Sequence, residues 1–148
     1  DREQEVTIIT ESLRQAVMSL RPGQGDEFCE IGTTTGWLPL QLALEAEFDR
    51  VSGIVVDTGS GNKALAAFKE LGELGPGRIP WHRRVEFLSV PSVEAFVAPH
   101  KMAACAGASI VVLHPPVSYT GAMDVLAALA RQLSPGAVVL ALGMETTK

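Results

Sequence analysis

Glu30-Ile31-Gly32-Thr33-Thr34-Thr35-Gly36 is the stretch whose reading decides the fold. The apolar pair Phe28-Cys29 precedes it, and the amphipathic stretch Trp37-Leu38-Pro39-Leu40-Gln41-Leu42-Ala43-Leu44 follows. An apolar run, a glycine-punctuated turn and a helix-period segment make the first strand–turn–helix unit of a Rossmann-like α/β sheet. Turns of this kind usually read acid-x-Gly-x-Gly-x-Gly, and here Thr34 stands where the middle glycine belongs. A branched side chain at that point narrows the space in which backbone can approach a nucleotide-like ligand.

The pattern extends in both directions. Val6, Ile9, Leu13, Ala16, Val17 and Leu20 recur at helical spacing, predicting a leading amphipathic helix closed by Arg21-Pro22-Gly23. Phe28 to Ile31 reads as the first strand, Gly36 to Glu47 as the first crossover helix, and Val51 to Val56 as the second strand. Pro39 sits in the first turn of that helix, where its missing N–H costs little. A turn at Gly59-Ser60-Gly61-Asn62, a helix over 63–74, a third strand over 84–89 and a short helical segment over 92–97 follow. Ser109-Ile110-Val111-Val112-Leu113 is apolar through its interior, as a strand covered on both faces must be. Residues 119–133 read as a helix, Ser134-Pro135-Gly136 as a turn and 137–142 as a fifth strand. With right-handed crossovers this alternation predicts one parallel sheet, order 3-2-1-4-5, with helices on both faces and the C-terminal strands missing or truncated. Residues 1–22 form the leading helix and 23–148 the Rossmann-like domain.

Composition narrows the function classes. The 148 residues are 47% hydrophobic and 20% charged, enough for one domain with a sizeable core. A net charge of −5 supplies no basic face for nucleic acid. The apolar runs are strand-length, well short of a membrane span. No initiator Met or targeting presequence is recognised at Asp1. Cys29 and Cys105 have no metal or redox spacing and read as buried reduced thiols, as expected in a reducing compartment.

On these residues the chain resembles the class I S-adenosylmethionine-dependent methyltransferases. Within them it is most similar to the histone-lysine methyltransferases of the disruptor of telomeric silencing type. The resemblance is carried by Glu30-x-Gly32-x-x-x-Gly36, Leu40-Gln41, Gly53-Ile54-Val55, Arg83/Arg84 with Val85 and Phe87, and Gly136-Ala137-Val138-Val139 after a Leu-x-Pro-Gly turn. It covers residues 26 to 142. It implies S-adenosylmethionine as cofactor and no metal, with Glu30, Gly32, Thr34 and Gly36 shaping the methionine end of the site. A carboxylate ending the second strand should hold the ribose, but that position maps to Val55, and Asp57 is the substitute two residues on. The adenine-side acid maps near Val90. The polar residue after the fourth strand, which orients the acceptor, maps to His114.

His114-Pro115-Pro116 is similar to the Asn/Asp-Pro-Pro-Tyr loop of amino-methylating enzymes. A neutral imidazole offers one acceptor and can take a proton near neutral pH. His114, with Tyr119 beside it, is the candidate catalytic pair; the competing reading is that Pro-Pro simply ends a strand. Each lost charge-assisted hydrogen bond to the cofactor costs about 1.5–3 kcal/mol, one to two decades of affinity. Weak or lost cofactor binding is therefore expected, with Thr34→Gly and Val55→Glu restoring it.

Two further features have plainer explanations. Val56-Asp57-Thr58-Gly59-Ser60 matches the Asp-Thr-Gly string of aspartic proteases, but those are all-β and need a second lobe. Arg78, His82, Arg83 and Arg84 around Trp81 suit a protein contact better than a nucleic acid in an acidic domain. The reading reached is a methyltransferase-fold protein with degenerate cofactor motifs, a non-catalytic structural subunit with a protein partner in a larger assembly. The alternative is an active methyltransferase acting on a lysine-type amine of a protein.

Overall fold

A computed structural model describes residues 2–33, 36–56, 85–90, 106–114 and 119–141. Within them the elements run α1 (Arg2–Ser19), β1 (Glu27–Thr33), α2 (Trp37–Glu45), β2 (Arg50–Val56), β3 (Val85–Val90), β4 (Ile110–Leu113), α3 (Tyr119–Gln132) and β5 (Val138–Ala141). The five strands form one sheet in the order β3-β2-β1-β4-β5, and every pairing is parallel. This is the predicted order, with β1 central. The predicted helices over 63–74 and 92–97, and the Trp81 cluster, lie outside the described residues.

Alternation along the strands divides the core between two faces. Cys29, Ile31, Ile54, Val111 and Leu113 pack with Val125, Ala128 and Leu129 of α3 on one face. Phe28, Val51, Ile110 and Val112 pack with Leu38, Leu42 and Ala43 of α2 on the other, where Leu13 and Val17 of α1 join them. Spacings of three and four residues place each helical set on one stripe. Phe28 and Phe48 meet at a ring-centroid distance of 5.8 Å, in the range favoured by tilted aromatic pairs.

Local chemistry sets the element ends. The Leu20 and Arg21 amides donate to Val17 and Met18 carbonyls as α1 closes. Arg21 takes φ 54°, the left-handed conformation usual just past a helix. Pro22 then prevents continuation. At the N-terminal edge of the sheet, the Ser109 hydroxyl donates to Asp26 Oδ1 at 2.9 Å. The Glu27 amide donates back to Ser109 Oγ at 3.2 Å. These contacts fix β1 against β4 at the end opposite the turn that follows β1.

Cys29 corrects one expectation: it is disulfide-bonded, not a free thiol. Cys105 lies outside the described residues. Short-range spacing carries no signal for a bond whose partners are set by topology.

Candidate functional site

The site is built at the carboxyl end of β1, beside the switch point where the chain order reverses. β1 pairs regularly with β4 up to Ile31↔Leu113. His114, the next residue, continues the ladder by donating its amide to the Ile31 carbonyl at 2.9 Å. On the other side, the register of β1 against β2 breaks between Ile31 and Thr33. Gly32 takes up that irregularity with φ 91°. Gly36, at φ 75°, then caps α2 without a side-chain hydrogen bond. Left-handed glycines thus stand at the end of β1 and at the start of α2.

Glu30 lies two residues from Phe28, on the face covered by α1 and α2. Its register partners are Gly53 and Val112. It is one of two buried polar residues among those described, at 4% exposure. Glu30 Oε2 lies 2.8 Å from Nε2 of His114, whose side chain is 33% exposed. The other oxygen, Oε1, is buried and has no hydrogen-bond partner among the described residues. An unsatisfied buried acceptor costs about 1–3 kcal/mol.

Sequence reasoning marked Glu30 and His114 separately, for cofactor and for acceptor; the structure brings them together across 84 residues of sequence. The available signal was the predicted adjacency of the first and fourth strands, but the register that sets residue 114 beside residue 32 was not legible. Thr34 and Asp57 lie outside the described residues. Tyr119 opens α3. Val55 is fully buried near the end of β2, and Val90 is buried in the face that packs on α3. Both apolar replacements therefore belong to the core. Among the described residues no group of three His, Cys, Asp or Glu could hold a metal ion. No described helix is long and apolar enough to cross a membrane.

No protein-family model matches the chain, and no curated protein does. Solved structures do. A methyltransferase from Geobacter sulfurreducens, solved with S-adenosylhomocysteine, superposes with a TM-score of 0.59 at 20% identity, over 89% of this chain and 46% of that one. Precorrin-6y C5,15-methyltransferase from Geobacter metallireducens gives 0.61 at 14% identity, over 88% and 60%. A methyltransferase from Thiobacillus denitrificans, also with S-adenosylhomocysteine, gives 0.55 at 17% identity, over 93% and 50%. The fold is that of the class I S-adenosylmethionine-dependent methyltransferases. The chain spans about half the length of these neighbours.

Proposed function

We propose that this chain binds S-adenosylmethionine at the end of β1 and serves in methyl transfer to a nucleophile presented beside His114. The observation that carries this reading is the buried, unpartnered Oε1 of Glu30 next to the left-handed Gly32. A purely structural domain gains nothing from a carboxylate oxygen held dry and unpaired. A ligand ammonium or hydroxyl supplies the missing donor. Asp57 is the proposed ribose contact, and Tyr119 is proposed to work with His114 toward the acceptor. When bound, the cofactor supplies an electrophilic methyl on a sulfonium. The chain supplies in-line placement. A lysine-type amine of a protein is the acceptor that the resemblance suggests.

A second reading, a non-catalytic structural subunit with a protein partner, is favoured by Val55. A fully buried valine stands where a ribose-binding carboxylate is usual. The edge strand β5, with Val138 at 37% exposure, offers a surface to such a partner.

Calorimetric titration with S-adenosylmethionine and S-adenosylhomocysteine separates the two readings. The expected dissociation constant is about 10–100 μM, one to two decades weaker than a micromolar site that keeps its ribose carboxylate. Glu30→Ala should abolish it. Absence of heat at millimolar cofactor overturns the first reading in favour of the second.

A further inference from the structure

We propose that Glu30 is a positioning residue for His114, and that His114 Nδ1 is the proton acceptor for the nucleophile that is methylated. The proton's role rests on the methyl-transfer reading above; the tautomer on which it depends rests on the contact of an ionised Glu30 with Nε2.

An ionised carboxylate can only accept hydrogen bonds. With Oε2 of Glu30 at 2.8 Å from Nε2, a neutral His114 carries its one ring proton on Nε2 and donates it to Glu30. Nδ1 is then left with a free lone pair, and among the described residues it has no hydrogen-bond partner. The backbone that carries the ring is anchored in two further ways. Its amide donates to the Ile31 carbonyl at 2.9 Å. Gly32 lies so close that an added Cβ would stand 3.0 Å from His114 Cβ and 3.3 Å from its carbonyl oxygen. One imidazole nitrogen is thus tied to a buried acid and the backbone of His114 is fixed beside Gly32, while a third of the side chain remains open to solvent. A base whose tautomer is set by a third group is the arrangement that general-base catalysis requires.

The proton balance is simple. As the electron pair of an N–H or O–H nucleophile closes on the methyl carbon, the carbon–sulfur pair stays with sulfur and the nucleophile loses a proton. Nδ1 takes that proton. The imidazolium so formed keeps its Nε2–H on Glu30, whose negative charge compensates it in a buried setting. A carbon nucleophile or a preformed thiolate gives up no such proton at this step. The pair therefore matches an amine or hydroxyl acceptor.

The test uses the full chain labelled with 15N-histidine, the His114 signals being assigned by their loss in His114→Gln. Long-range nitrogen–proton correlations above neutral pH should show the proton on Nε2, in slow exchange with water. Glu30→Ala should speed that exchange about tenfold or more, the expected effect of losing a hydrogen bond to a charged group. Diethyl pyrocarbonate, which acylates only an imidazole nitrogen with a free lone pair, should modify His114 in the wild type; a purely structural ring with both nitrogens engaged resists it. A proton on Nδ1, or an unreactive His114, overturns the proposal even if Glu30→Ala fails to fold. These measurements use no cofactor. A calorimetric null therefore strikes the methyl-transfer reading, and a wrong tautomer strikes this one.

Discussion

Gly32 lies in β1 and His114 just past β4, yet a Cβ built on Gly32 would lie 3.0 Å from His114 Cβ. At φ 91° the glycine is also in a region that L side chains rarely adopt. Gly32→Ala is therefore penalised twice, by backbone strain and by overpacking, at about 2 kcal/mol or more together. In a domain of this size the melting temperature should fall about 4–8 °C. His114 should be displaced from Glu30 with it. Gly23, with nothing within 4 Å of its added Cβ and no left-handed φ, is the control: Gly23→Ala should leave the melting temperature within about 2 °C.

Gly53 has a different neighbour. An added Cβ would stand 2.4 Å from Cε1 of Phe87, its register partner on β3. Gly53→Ala should cost about 1–3 kcal/mol through overpacking. Phe87→Leu removes the ring atoms in the way. In a double-mutant cycle measured by urea unfolding, the pair should be less destabilised than the sum of the singles by at least about 0.5 kcal/mol. Strict additivity would show that Phe87 does not fill the space above Gly53.

These two glycines show what the sequence made legible. The sheet was readable because Phe28–Ile31 and Ile110–Val111-Val112-Leu113 are too continuously apolar for anything but strands covered on both faces. Their order followed from crossover handedness. The site was only half readable. Glu30 and His114 each carried a chemical signal, but their pairing depends on a register that places 113 opposite 31, and apolar runs look the same when shifted by one residue. Cys29 gave no hint of its bond for a similar reason, since disulfide geometry is tertiary.

Val55→Glu, the substitution that motif matching offers as a repair, should do harm. Val55 is fully buried, between Thr33 of β1 and Ser89 of β3 in the register. Burying a carboxyl there without a partner costs several kcal/mol, and the group will take up a proton rather than stay charged. The expected result is a melting temperature lowered by about 6 °C or more. Saturating S-adenosylmethionine should not restore it. Full recovery with the cofactor would show that the end of β2 opens to admit the ribose.

Arg14 joins α1 to α2 at the surface. Its guanidinium donates to Glu11 within α1 and, at 3.1 Å, to Glu45 at the end of α2. The hydrogen bond from Arg14 is the main cause holding the Glu11 carboxyl below its ordinary value. A carboxyl whose folded value is depressed binds protons more readily when unfolded. Its contribution to stability is thus present at neutral pH and lost as the pH falls through the depressed value. Exposed pairs of this kind contribute little and are screened by salt. Arg14→Ala should lower the melting temperature only slightly at pH 7 and low ionic strength. That small difference should shrink both in molar salt and on acidification into the range where Glu11 protonates. Melting curves of the two proteins at pH 7 and in mild acid, each with and without salt, make the check. A difference that persists in molar salt would show that Arg14 acts through the packing of its aliphatic stem between the helices, and Arg14→Met, which keeps that stem, should then recover it.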